Sequence, residues 1–128
     1  HGGHSGIGDL SAFAKKIVEN VNPDTVVFSI ARNGKWKNPK PEVISGIRNG
    51  KRKVRILCTQ LSLYCAASVP KKEATHLAGV VAHGKALSNC CSGTIVVKFD
   101  GRAIDILPRQ VEHQSFIEKN APSALCKD

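Results

Sequence analysis

Little in this chain can stack on a base or span a bilayer. Of its 128 residues one is Trp, one Tyr and four Phe. The interior must therefore be assembled from Val, Ile, Leu and Ala. A nucleic-acid surface built on stacked bases would be short of aromatic platforms. No apolar run nears the roughly 18 residues that cross a bilayer, so no transmembrane segment is expected. No apolar leader opens the sequence, which implies a mature product or an intracellular protein. No Cys-x-x-Cys and no Cys/His ladder occurs, so spacing alone points to no metal site and no cofactor. Gly6-x-Gly8 lacks the third glycine and the preceding strand of a dinucleotide site. Repeats and a second compositional block are missing as well, and the length suits one domain with one modest core.

Cysteine and positive charge stand out against this background. Cys58, Cys65, Cys90, Cys91 and Cys126 make an odd set. In so small a chain they favour an oxidising compartment, and hence secretion. Two bridges and one leftover thiol are expected. Cys58 and Cys65 can bond each other or anchor neighbours, and Cys126 can clip the tail to Cys90 or Cys91. The net charge of +9 is concentrated between Arg32 and Arg55. Arg32, Lys35, Lys37, Lys40, Arg48, Lys51, Arg52, Lys53 and Arg55 face Glu42 alone there, a local net of +8. Such a field attracts polyanions and anionic membranes. A merely solubilising loop is the plainer explanation.

Residues 1–7 carry no apolar period and read as a mobile segment. Their two histidines, His1 and His4, suit weak copper or nickel binding, although a processing remnant explains them better. Asp9 is placed to cap a helix whose apolar stripe is Leu10, Phe13, Ala14, Ile17, Val18 and Val21. Asn22-Pro23 ends it. Thr25 to Ile30 is β-branched and aromatic and reads as a strand, followed by an Asn33-Gly34 turn. A long basic excursion follows, with a short strand expected near Val43-Ile44. In the strand over 51–58, Lys53 and Arg55 alternate with Val54 and Ile56, which puts the cations on the solvent face. A second arm over 63–67 would complete a hairpin. A helix is expected over 70–84, with Pro70 in its first turn and Gly84 as its cap. Asp100-Gly101 should turn a strand over 94–99 into one over 103–107, which Pro108 closes. The remainder reads as a short helix or an arm.

Catalytic signals are thin. His76, His83 and His113 could serve a ribonuclease-type acid–base mechanism only by converging in space, and no motif joins them. Cap or surface roles are commoner for such histidines. Asp100 and Asp105 flank a turn and are explained by turn chemistry.

Several short motifs, spread over about residues 6–100, resemble those of the killer-protein-four-like family, the smut-virus killer toxin and its secreted fungal and moss relatives. Residues 8–21 match its first helix, and Asn33-Gly34 or Asn49-Gly50 its turn. Ile56-Leu57-Cys58 and Tyr64-Cys65-Ala66 match its two cysteine strands. His76-Leu77 through Val81-Ala82-His83-Gly84 matches its second helix. Cys90-Cys91-Ser92-Gly93-Thr94-Ile95-Val96-Val97 matches its final motif pair. The likeness departs at Lys85, where the family has cysteine, and at Ile56, where it has the lysine associated with blocking calcium influx.

These readings converge on an α+β sandwich over residues 8–128. An antiparallel sheet of about five strands would carry two antiparallel helices on one face. The resemblance implies a secreted, monomeric, non-enzymatic toxin-like effector or antimicrobial protein. Lys51, Arg52, Lys53 and Arg55, with Lys35 and Lys37, would meet an anionic cell surface, a cell-wall component or a channel mouth. The alternative is a polyanion- or nucleic-acid-binding module using the same cations.

Overall fold

The computed structural model describes residues 8–35, 37–50, 53–68, 75–77 and 89–127. Helix α1 (Leu10–Val21) opens it, capped by the Asp9 carboxylate, which accepts from the Ala12 N–H at 2.9 Å. The helix ends where Asn22 turns left-handed at φ 52°, ahead of Pro23. Strand β1 (Thr25–Phe28) follows, then helix α2 (Pro41–Arg48) and strand β2 (Arg55–Cys58). A single 3-10 turn (Thr75–Leu77) precedes strands β3 (Val96–Phe99) and β4 (Ile104–Leu107) and helix α3 (Gln110–Asn120).

The expected five-stranded antiparallel sheet is not what the chain builds. Among the described residues there are three helices and two separate two-stranded sheets. β1 and β2 run parallel, with Thr25 opposite Arg55 and Phe28 opposite Cys58. β3 and β4 run antiparallel, with Val96 opposite Leu107 and Phe99 opposite Ile104.

Local chemistry accounts for each departure. Val43-Ile44 lies in α2, not in a strand. Pro41 occupies the first turn, where its missing N–H costs nothing. Glu42 complements the helix start and Arg48 its end. Ile44 and Ile47, three residues apart, bury one face. As a crossover between β1 and β2, α2 lets those strands pair in parallel. The arm expected over 63–67 is a pair of turns, because the N–H groups of Cys65 and Ala66 both reach the Ser62 carbonyl. Most of the helix expected over 70–84 lies outside the described residues.

α1 packs against α2 at close range. A Cβ added to Gly46 would fall 2.2 Å from the Ser11 carbonyl oxygen and 2.9 Å from the Ala14 Cβ, so only glycine permits this approach. Beneath the helices, Val54, Ile56, Leu57 and Cys58 are all buried. Strands covered on both faces read in this way, as a continuous apolar run. The alternation expected for residues 53–56 is kept at Lys53, which is exposed, and lost beyond Ile56.

Candidate functional site

Backbone bonds past β2 bring the cysteines together. The Ser92 N–H donates to the Cys58 carbonyl at 2.8 Å, and the Gly93 N–H to the Thr59 carbonyl at 3.0 Å. The Leu61 N–H reaches the Asn89 carbonyl at 2.7 Å. Cys91 and Ser92 are thereby held beside the end of β2. From the other side α3 buries His113 and, one turn on, Ile117. Two tight turns after α3 bring Cys126 inward. The tail is held by Arg48, whose guanidinium donates to the carbonyls of Leu125 and Lys127.

The result is a buried thiol–imidazole cluster. Cys91 Sγ lies 3.3 Å from His113 Nε2 and 4.0 Å from Cys126 Sγ. Ser92 Oγ lies 3.1 Å from the same imidazole nitrogen. The side chains of Cys91, His113 and Cys126 offer ligand atoms that all fall within 4.8 Å of one another. Cys65 adjoins them, its sulfur accepting the Leu125 N–H at 3.4 Å. His76 sits at the periphery: its Nε2–H donates to the Cys91 carbonyl, and its ring lies over Phe116 at 4.1 Å between centroids. The five cysteines stand as thiols. Of the two partners expected for Cys126, Cys91 lies adjacent to it. Cys90 points elsewhere, its sulfur beside Gly93 and the Leu77 side chain.

Burial and close contact favour the neutral forms of Cys58, Cys65, Cys126 and His76. Burial pushes the Cys58 thiol up, and neighbouring Cys126 and Cys65 add to the effect. The hydrogen bond with Cys126 raises Cys65, and burial raises it further. For Cys126 the bond with Cys65 pulls down, but the bond with Cys91 and burial outweigh it. Burial lowers His76, against a smaller upward pull from the Cys91 carbonyl and Glu112.

His76 and His113 do converge, with ring centroids 5.8 Å apart. They do so in the interior, where His113 is 0% and Cys91 1% exposed. A nucleophile or general acid must reach its substrate, and this dyad has no surface of its own. His83 lies outside the described residues.

The basic residues divide into two sets. Arg32 is 7% exposed, and its guanidinium donates to the carbonyls of Leu61 at 2.8 Å, Ala66 at 2.8 Å and Ala67 at 3.0 Å. Arg55, expected on the solvent face, is half-buried and donates to the carbonyls of Ile106 and Pro108, tying β2 to the end of β4. With Arg48 on the tail, three arginines are spent on protein carbonyls. Lys35, Lys37 and Lys53 are exposed. Lys51 and Arg52 lie outside the described residues.

Lys53 and Arg55 line a cleft of about 460 Å³ between the two sheets, together with Arg109 at the start of α3 and with Asp24 and Asp105. A second cleft, of about 510 Å³, runs past Cys65 between residues 63–68 and 119–123. Neither Arg109 nor the partnership of His113 with the thiols was singled out from sequence. The spacing of His113 and Ile117, one helical turn apart on a segment otherwise poor in apolar residues, was the available signal. Among the described residues no helix is long and apolar enough to cross a membrane. No protein-family model, curated protein or solved structure matches the chain.

Proposed function

We propose that the protein is a non-enzymatic binding module that holds polyanions on its lysine-bearing surface. The observation that carries this reading is the division of the basic segment. Its described arginines bond carbonyls of the fold, while Lys35, Lys37 and Lys53 stand at the surface. Ammonium groups on long exposed stems suit backbone phosphates or carboxylates as point charges. Few exposed aromatics accompany them, so sequence-specific base stacking is not part of the reading.

We prefer this reading to the channel-blocking one implied by the toxin resemblance. The five-stranded sheet expected alongside that resemblance is absent among the described residues. Where the family has its lysine this chain has Ile56, which is 1% exposed. The polyanion reading needs neither and holds in either compartment. The test is binding of an acidic polysaccharide and of random-sequence single-stranded RNA across a salt series. Affinity should fall steeply with salt for at least one of them. The triple variant K35E/K37E/K53E should weaken it at least about tenfold, as loss of several phosphate or carboxylate contacts implies. Salt-independent binding, or binding unchanged in the folded variant, would reject the reading.

A further inference from the structure

The thiol–imidazole cluster plays no part in polyanion binding, and its geometry suggests a separate use. A tetrahedral zinc with Zn–S near 2.3 Å and Zn–N near 2.0–2.1 Å sets its sulfurs roughly 3.8 Å apart, and sulfur from nitrogen roughly 3.6 Å. The Cys91–Cys126 sulfurs are 4.0 Å apart, and Cys91 Sγ is 3.3 Å from His113 Nε2. Both spacings come within a few tenths of an ångström of what the ion needs, and the third, between Cys126 Sγ and the His113 ring, is within 4.8 Å, so the tail must close slightly on binding. The three groups descend from different elements: the segment stitched to β2, helix α3 and the C-terminal arm. Backbone bonds to Cys58 and Thr59, and the Arg48 clamp on the arm, fix them independently of any ion.

We propose that Cys91, Cys126 and His113 bind a thiophilic divalent cation, with zinc the best fit. Two soft sulfurs and one imidazole select against calcium and magnesium, which take oxygen ligands. On binding, Cys91 and Cys126 each release a proton to solvent and the metal takes the thiolates. Protons are therefore liberated in proportion to occupancy. Burial that disfavours isolated thiolates is reversed by the ion's own charge. Neighbouring groups brace the ligand-bearing segments. The imidazole of His76 meets the Cys91 carbonyl and steadies that ligand from behind. The Leu125 N–H points at the sulfur of Cys65, beside Cys126. Cys65, which adjoins the cluster, also lines the second cleft.

Cobalt(II) titration of the reduced full-length chain tests this, because thiolate–cobalt charge transfer absorbs in the near ultraviolet and tetrahedral cobalt in the visible. One equivalent of cobalt should give both bands, and one equivalent of zinc should bleach them. Cys126→Ser and His113→Gln should each weaken binding by more than the 10–100-fold typical of losing an outer contact, about a hundredfold or beyond. Cys90→Ser, whose sulfur lies outside the cluster, should bind as the parent does. Should the ligand variants not fold, zinc protection of the parent chain decides instead. Peptide mapping after alkylation should then show Cys91 and Cys126 modified more slowly with zinc than without it, and the rate at Cys90, which is also buried, unchanged by zinc. Three results would overturn the assignment. These are no cobalt bands in the parent, equal loss in Cys90→Ser, or a Cys91–Cys126 disulfide in protein isolated without reductant.

Discussion

The basic stretch from Arg32 to Arg55 and the apolar hairpin from Val96 to Leu107 are placed in opposite ways to their composition. The stretch with the highest charge is woven through the core. Ile44, Ile47 and Val54 are buried, and Arg32 is buried with them. The hairpin, rich in Val, Ile and Phe, is left largely in solvent, with Val97 61%, Ile104 66% and Phe99 72% exposed. Hydropathy therefore did not decide burial here; available partners did. Arg32 could go inside because free carbonyls in the turns after β2 satisfy its guanidinium. The hairpin could stay outside because its turn closes locally. Gly101 takes φ 89°, and the Asp100 carboxylate accepts from the N–H groups of Arg102 and Ala103. Those two bonds also hold the Asp100 carboxyl below its ordinary range.

The contrast can be broken most severely at Ile56. Lysine there would enter the site of a side chain 1% exposed within the apolar core cluster. Ile56→Lys should cost more than about 4 kcal/mol and leave the chain unfolded or barely folded, as chemical denaturation would show. A folded variant of near-parent stability would mean that the strand faces solvent after all.

Arg32→Met comes next. It keeps the stem and removes the donors, leaving the carbonyls of Leu61, Ala66 and Ala67 without them. A loss of about 3 kcal/mol is expected in urea unfolding. Gly46→Ala should cost about 1–3 kcal/mol, since α1 and α2 must separate to admit a methyl group. Phe99→Ser, in the exposed hairpin, should change stability by no more than about 0.5 kcal/mol. A large loss at Phe99 would show that the hairpin's outer face is covered in solution.

Much of the local structure was legible in the residues themselves. Asp9 caps α1, Asn22-Pro23 ends it, and Asp100-Gly101 turns the hairpin, because each device is complete within a few residues. The strand pairing was not legible. Nothing local distinguishes Thr25–Phe28 pairing in parallel with Arg55–Cys58 from pairing antiparallel with another strand. The choice is made by α2 between them, and α2 was hidden behind two prolines and a run of cations. The candidate sites were legible in the same uneven way. The basic segment was visible as composition, but which of its cations hold the fold depends on where distant carbonyls point. Five cysteines suggested bridges. That Cys91 and Cys126 would meet His113 required the segment after residue 88 and the tail to reach one point from opposite sides, and no spacing rule encodes that.

A matched pair of variants tests the division between arginines and lysines most directly. R32K/R48K/R55K keeps the charge of the basic segment and removes its forked donors, whereas K35E/K37E/K53E reverses three surface charges and leaves the carbonyl bonds intact. Thermal midpoint and polyanion affinity would be measured for both at one salt concentration at which both are folded. The arginine variant should melt well below the parent and bind within about threefold of it, while the lysine variant should melt near the parent and bind at least about tenfold more weakly. The reverse pattern, with binding lost in the arginine variant and kept in the lysine variant, would contradict the division and place the binding surface on Arg55 and its neighbours in the cleft.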